Sequence, residues 1–115
     1  MDQKHIRVSE QIAHAAAQFI ARESSGQSLI TVTRTDITDN FAKAIIYLSV
    51  LPESEEENAL VFMKRSAGEL RRFLKDNSRL QRIPHLEVQI DFGEKNRIHL
   101  DELQRKYESE NGAKI

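Results

Sequence analysis

Apolar positions recur along this chain in two rhythms, one helical and one alternating, and the switches between them mark its elements. From His5 to Glu23 the residues Ile6, Ile12, Ala16, Phe19 and Ile20 fall at helical spacing with no proline or glycine among them, which predicts a first helix. Ser24, Ser25 and Gly26 break it. Leu29 to Ile37 is dense in Thr, Val and Ile, whose branching at Cβ suits a pleated strand. Thr38, Asp39 and Asn40 are turn formers. Ala42 to Leu51 then alternates, with Ala44, Ile46, Leu48 and Val50 on one face. The two strands are expected to pair as a hairpin.

Pro52 closes the second strand, because a residue without an N–H cannot extend the ladder. The acids from Glu53 to Glu57 complement a helix dipole at its N-terminus, so a second helix is expected from about Glu55. Gly68 is expected to interrupt it, and a third helical piece should run to about Lys75, where Asp76, Asn77 and Ser78 stop it. After Pro84, the residues Leu86, Val88 and Ile90 alternate with Glu87 and Gln89 as a third strand. Beyond Asp91 and Gly93 the pattern predicts a short helix over Leu100 to Tyr107 and a disordered tail from Ser109 to Ile115. The order helix, strand, strand, helix, interrupted helix, strand implies a three-stranded sheet covered on one face by helices, an α+β arrangement. It is also the order of a type II KH domain, here expected as a single domain over residues 1–108 with a tail over 109–115.

Composition adds exclusions. A chain of 115 residues can bury a core without disulfide or metal staples, and the absence of cysteine removes disulfides and thiol nucleophiles. No apolar run approaches the roughly 20 residues of a membrane span, and the first residues lack the apolar stretch of a signal peptide, so a cytoplasmic protein is expected. The net charge of −1 argues against a polyanionic partner only until its distribution is considered. Lys64 to Arg82 holds seven basic and two acidic residues, a local charge of +5, and the rest of the chain carries −6. Acid clusters at Glu53, Glu55, Glu56 and Glu57 and again around Asp101, Glu102, Glu108 and Glu110. The molecule should be electrostatically two-sided.

On one helical wheel, Lys64, Gly68, Arg71 and Lys75 form a narrow stripe flanked by Arg65 and Arg72, while Ala59, Met63, Ala67, Leu70 and Leu74 fall opposite. An ordinary solvated face mixes signs at i,i+4 spacing, whereas this stripe contains no acid. Gly68 removes a side chain from its middle, which permits a kink and close backbone approach. A kink also exposes a helix N-terminus whose N–H groups can take phosphate. The basic residues Lys64, Arg65, Arg71, Arg72 and Lys75, extended by Arg79 and Arg82, are therefore expected to grip RNA phosphates.

Other chemistry is thinner. Asp36, Asp39 and Asp91 could imitate a carboxylate metal site for phosphodiester cleavage, although strand-end aspartates more often shape turns. His5, His14, His85 and His99 show no ligand spacing. With four glycines and none before Lys-Ser or Lys-Thr, there is no phosphate loop of the Walker type. No catalytic residue, metal or cofactor is expected. A protein–protein adaptor remains open as an alternative, since the acidic patches could dock a basic protein. Membrane adsorption of the basic helix would need the apolar face that the core requires.

The chain resembles the ribosome-binding factor A family over most of its length, from about Arg7-Val8 through Leu103. The likeness rests on Ile30-Thr31-Val32-Thr33, on Ala42-Lys43-Ala44 leading to Tyr47-Leu48-Ser49, on Ser66-Ala67-Gly68-Glu69-Leu70-Arg71, and on Arg79-Leu80 running to Ile83-Pro84-His85-Leu86 with Asp91. The resemblance implies a type II KH-like fold in which an Ala-x-Gly helix kink replaces the Gly-x-x-Gly loop. Ser66-Ala67-Gly68 stands at that kink, which adds Ser66 and Ala67 to the expected RNA-binding set. It further implies a protein that binds the immature small ribosomal subunit, contacts its 16S ribosomal RNA and assists late maturation, notably in the cold, with small-subunit ribosomal proteins as further candidate partners; a monomer is expected. The chain departs from the family pattern at Asn40, where Asp is usual, at Ile45, at Gln81 beside Arg82, and at His85 after the proline.

Overall fold

A computed structural model describes residues 3–97 together with residues 100, 104 and 105. Its elements are α1 (Gln3–Glu23), β1 (Leu29–Ile37), β2 (Lys43–Leu51), a 3-10 turn (Glu53–Glu55), α2 (Glu56–Arg65), α3 (Ala67–Asn77) and β3 (His85–Ile90). They form a three-stranded sheet in the order β1-β2-β3. β1 runs antiparallel to β2, from Leu29 opposite Leu51 to Ile37 opposite Ala44. β3 runs parallel to β2, from Lys43 opposite His85 to Leu48 opposite Ile90. A parallel neighbour cannot be reached by a tight turn, and α2 with α3 supplies the crossover.

The alternation read from β2 is what anchors the sheet to its helices. Ala44, Ile46, Leu48 and Val50 are all buried, against Ile12, Ala15, Ala16, Phe19 and Ile20 of α1 and Ala59, Met63, Leu70 and Leu74 of α2 and α3. Phe19 lies between Phe62, stacked at 6.3 Å, and Phe73, edge-on at 6.0 Å. Each fully buried large side chain of this set contributes about 1.5–3 kcal/mol.

Four local features differ from the expected pattern. The helical break falls at Ser66 (φ −91°, ψ 4°), and Gly68 lies inside the first turn of α3. The Ser66 N–H still donates to the Phe62 carbonyl and the Leu70 N–H to the Ser66 carbonyl, at 2.9 and 2.8 Å, so the kink costs little backbone bonding. α3 runs through Asp76 to Asn77 because Asn77 Nδ2 and Ser78 Oγ donate to the carbonyls of Phe73 and Leu74, satisfying its last turn. A helix that the pattern does not predict begins at Phe92, directly after β3. Asp91 caps it by accepting the Glu94 N–H at 3.1 Å. Leu100, Gln104 and Arg105 are helical; the rest of the Leu100–Tyr107 stretch and the tail from Ser109 lie outside the described residues. Finally, the β1–β2 register shifts between Val32 and Arg34, leaving Thr33 as a bulge.

Candidate nucleic-acid interface

The kink at Ser66 sets the end of α2 and the start of α3 beside the outer edge of β3. Between them lies a groove of about 450 Å³, with Met63, Lys64, Ala67 and Leu70 on the helical side and Leu86, Glu87, Val88 and Gln89 on the strand side. β3 is an edge strand, so one side of its backbone is free of a strand partner. Ala67 is half-buried in this wall, and Ser66 is half-buried at the break. The Ser66 side chain makes no capping bond to α3. A Cβ placed on Gly68 would meet nothing within 4 Å, so the glycine leaves the exposed face of α3 open to solvent on the ridge.

Above the groove runs the basic ridge. Lys64, Arg65, Gly68, Arg71, Arg72 and Lys75 are all exposed, as the wheel predicts. Arg71, however, is occupied: Nη1 donates to the Pro84 carbonyl at 2.6 Å and Nη2 to the Ile83 carbonyl at 3.3 Å. It clamps the segment that leads into β3. Its acceptors are neutral, so its charge persists while its side chain is held. Among the described residues Lys64, Arg65, Arg72, Lys75, Arg79 and Arg82 make no ion pair. Arg79 and Arg82 lie off the ridge, between α3 and β3, where they share a second cleft with Lys4 and Arg7 of α1.

The acids are arranged differently. Lys95 of the helix after β3 bonds Glu56 at 3.0 Å and lies 3.8 Å from Glu53, which engages two of the four acids expected between Glu53 and Glu57; the cluster around Asp101, Glu102, Glu108 and Glu110 lies outside the described residues. The Glu56 hydrogen bond raises the Lys95 ammonium above its ordinary range. Asp91 is held below the usual carboxylate range, first by the Thr33 hydroxyl that donates to it at 2.6 Å, then by the Glu94 N–H, with Arg34 assisting against partial burial. Arg34 is also bonded to Asp36 at 3.0 Å and lies over the Tyr47 ring at 4.0 Å.

Of the imagined carboxylate triad, Asp36 and Asp91 therefore share an arginine, and Asp39 sits apart on the hairpin turn. Among the described residues no group of three His, Asp or Glu side chains is placed to hold a metal. His5 lies 3.2 Å from the Asp39 carbonyl and stacks on Phe41 at 4.1 Å, a contact no spacing rule reveals. His14 and His85 are exposed, and His99 lies outside the described residues. No helix among the described residues is long and apolar enough to cross a membrane.

A three-stranded sheet with helices on one face, and a kinked helix pair beside its parallel edge strand, defines a KH-like α+β domain of the type II element order. More particularly, the chain belongs to the ribosome-binding factor A family, whose sequence profile matches residues 4–104. It is 24% identical over 108 residues to Ribosome-binding factor A of Clostridioides difficile (strain 630), covering 91% of this chain and 85% of that protein. It is 33% identical over 89 residues to that of Alkalilimnicola ehrlichii, covering 74% and 68%. The crystal structure of ribosome-binding factor A from Thermus thermophilus superposes with a TM-score of 0.67 at 24% identity, over 75% of this chain and 94% of that one. A homology model of the Thermus thermophilus protein, fitted into a cryo-EM map of its complex with 30S, matches with a TM-score of 0.62 at 26% identity, over 70% and 88%.

Proposed function

We propose that this protein is a non-enzymatic ribosome assembly factor that works as a monomer in the cytoplasm. In this reading it binds the immature small (30S) subunit through its 16S ribosomal RNA and assists late maturation and RNA processing. The observation that carries the reading is the ridge of cations that make no ion pair among the described residues, set directly above a groove of mixed apolar and polar lining beside the edge strand β3. Phosphates track the ridge at Lys64, Arg65, Arg72 and Lys75, and the charge of Arg71 adds to the field even though its side chain is tied. Bases of an unpaired strand lie in the groove against Ala67 and Val88, and the missing side chain at Gly68 lets the RNA backbone approach α3 closely. The relation to a Thermus protein fitted on 30S supports the choice of RNA.

The alternative, an adaptor that docks a basic protein through acidic patches, is disfavoured because Lys95 already engages Glu53 and Glu56. Capture of the tagged protein from a bacterial lysate separates the two. Enrichment of small subunits at low salt, lost after nuclease treatment, with crosslinks mapping to residues 64–75, is the expected result. Nuclease-resistant recovery of one basic protein, with no crosslink on α2 or α3, would overturn the proposal.

A further inference from the structure

At the far end of α3 the structure holds a second cleft, of about 510 Å³, built from three separate parts of the chain. Lys4 and Arg7 enter from α1, Asn40 and Phe41 from the β1–β2 turn, and Arg79 and Arg82 from the segment before β3. Among the described residues no carboxylate lines it and none of these four cations makes an ion pair. Four like charges around one cavity repel each other, an arrangement that an anionic ligand relieves. Its volume lies within the range of small-molecule sites, roughly 300–1,000 Å³.

The turn residues give the cleft its chemistry. Asn40 Oδ1 accepts from the Thr38 hydroxyl at 2.8 Å and the Ala42 N–H at 3.0 Å, which fixes the amide and leaves its N–H₂ end for a ligand. Phe41 has φ +60°, a left-handed conformation that a bulky residue rarely adopts, and it is held there by its N–H bond to the Thr38 carbonyl, by His5 stacked on the ring and by Lys4 at 5.0 Å. An aromatic ring is thereby fixed in the wall of a cationic cavity. Pro84, whose carbonyl Arg71 clamps, also lines the cleft, so its wall is tied to α3 and to the ridge.

We infer that this cleft is a second RNA site, taking a phosphate of an unpaired strand among Arg7, Arg79 and Arg82 with its base against Phe41. The inference rests on the RNA-binding reading above and extends it to a surface that α2 does not reach. RNA is favoured over a free anion because the cleft pairs its cations with an aromatic ring and apolar lining, which phosphate alone does not use.

Asn40→Asp tests it with little structural cost. The carboxylate keeps both accepted hydrogen bonds and the shape of the turn, but puts a negative charge among the cations. Binding of a short fluorescein-labelled single-stranded RNA, followed by anisotropy at low salt, is expected to weaken about threefold to tenfold with an unchanged melting temperature. Arg79→Gln with Arg82→Gln, which touches no turn residue, should weaken it at least as much. If both cleft variants bind within a factor of about two of the wild type while Lys64→Ala with Arg65→Ala loses affinity, the inference fails and the ridge stands. If neither set loses affinity, the RNA-binding reading fails with it. Amide shifts of Asn40 and Arg79 that inorganic phosphate reproduces at equal phosphate concentration would also overturn the assignment to RNA.

Discussion

Two charged regions of this molecule look alike in sequence and differ in what their charges do. Where β1, β3 and the helix after β3 meet, Arg34 joins Asp36 and Asp91, Thr33 donates to Asp91, and Lys95 joins Glu53 and Glu56. On the α2–α3 ridge, Lys64, Arg65, Arg72 and Lys75 are exposed and, among the described residues, make no ion pair. Charge in the first region organises the fold; charge in the second is left for a partner. Arg71 and Arg72 show the boundary within two consecutive residues, one fastened to backbone carbonyls and the other without an ion pair.

Reversing the ridge gives the largest separation. Lys64→Glu with Arg65→Glu should lower affinity for single-stranded RNA by about 100-fold or more, since it removes two phosphate contacts and adds repulsion. Thermal unfolding should move little, because exposed changes stay within about 0.5 kcal/mol. Gly68→Leu sharpens the same contrast. The free protein has room for the side chain, so stability should hold or rise by about 0.5 kcal/mol, as expected for replacing glycine in a helix. RNA affinity should fall about tenfold as the side chain crowds the ridge against the bound strand, a loss of roughly 1.4 kcal/mol. Expected crowding at this position thus belongs to the complex and not to the protein alone.

Arg71→Ala and Arg72→Ala form a matched pair read by denaturant unfolding and RNA titration together. Arg71→Ala should cost about 1–2 kcal/mol of stability, since two carbonyls lose their donor. Arg72→Ala should cost almost no stability and should weaken RNA binding severalfold. The smallest effect belongs to the corner. Because the folded state holds the Asp91 carboxyl low, its stabilisation is complete above the ordinary carboxylate range and is lost as pH falls through the lowered folded value. Asp91→Asn should lower stability by about 1 kcal/mol at neutral pH and flatten the acid side of the stability profile, measured by urea unfolding across pH.

Much of this architecture is legible in the chain. The alternation of Ala44, Ile46, Leu48 and Val50 reports a half-buried strand because side-chain direction in a strand is set by parity alone. The helical faces of α1 and α3 are equally plain. Gly68 misplaces the break by two residues because glycine costs a helix only about 1 kcal/mol, less than the burial of Met63 and Leu70 on either side supplies. The helix at Phe92 had a signal, Asp91 followed three residues later by Glu94, the pattern of a capping box. The Thr33 bulge leaves no mark in one sequence. A wheel shows the angle at which Arg71 leaves its helix, yet not that Ile83 and Pro84, 12 and 13 residues on, return within its reach. Lys4 and Arg7 escape for the same reason, since their cleft exists only after three distant segments meet.

Whether the exposed cations of the ridge hold RNA by its phosphates is measured directly by the salt dependence of binding. With four phosphate contacts on the ridge and up to three more at Arg7, Arg79 and Arg82, log K for single-stranded RNA should fall against log salt with a slope of roughly −3 to −5, at about 0.7 per contact. The slope should shrink by about 1.4 in Lys64→Ala with Arg65→Ala. A wild-type affinity that stays flat from low to high salt, or a slope those two substitutions leave unchanged, would contradict phosphate contact at the ridge.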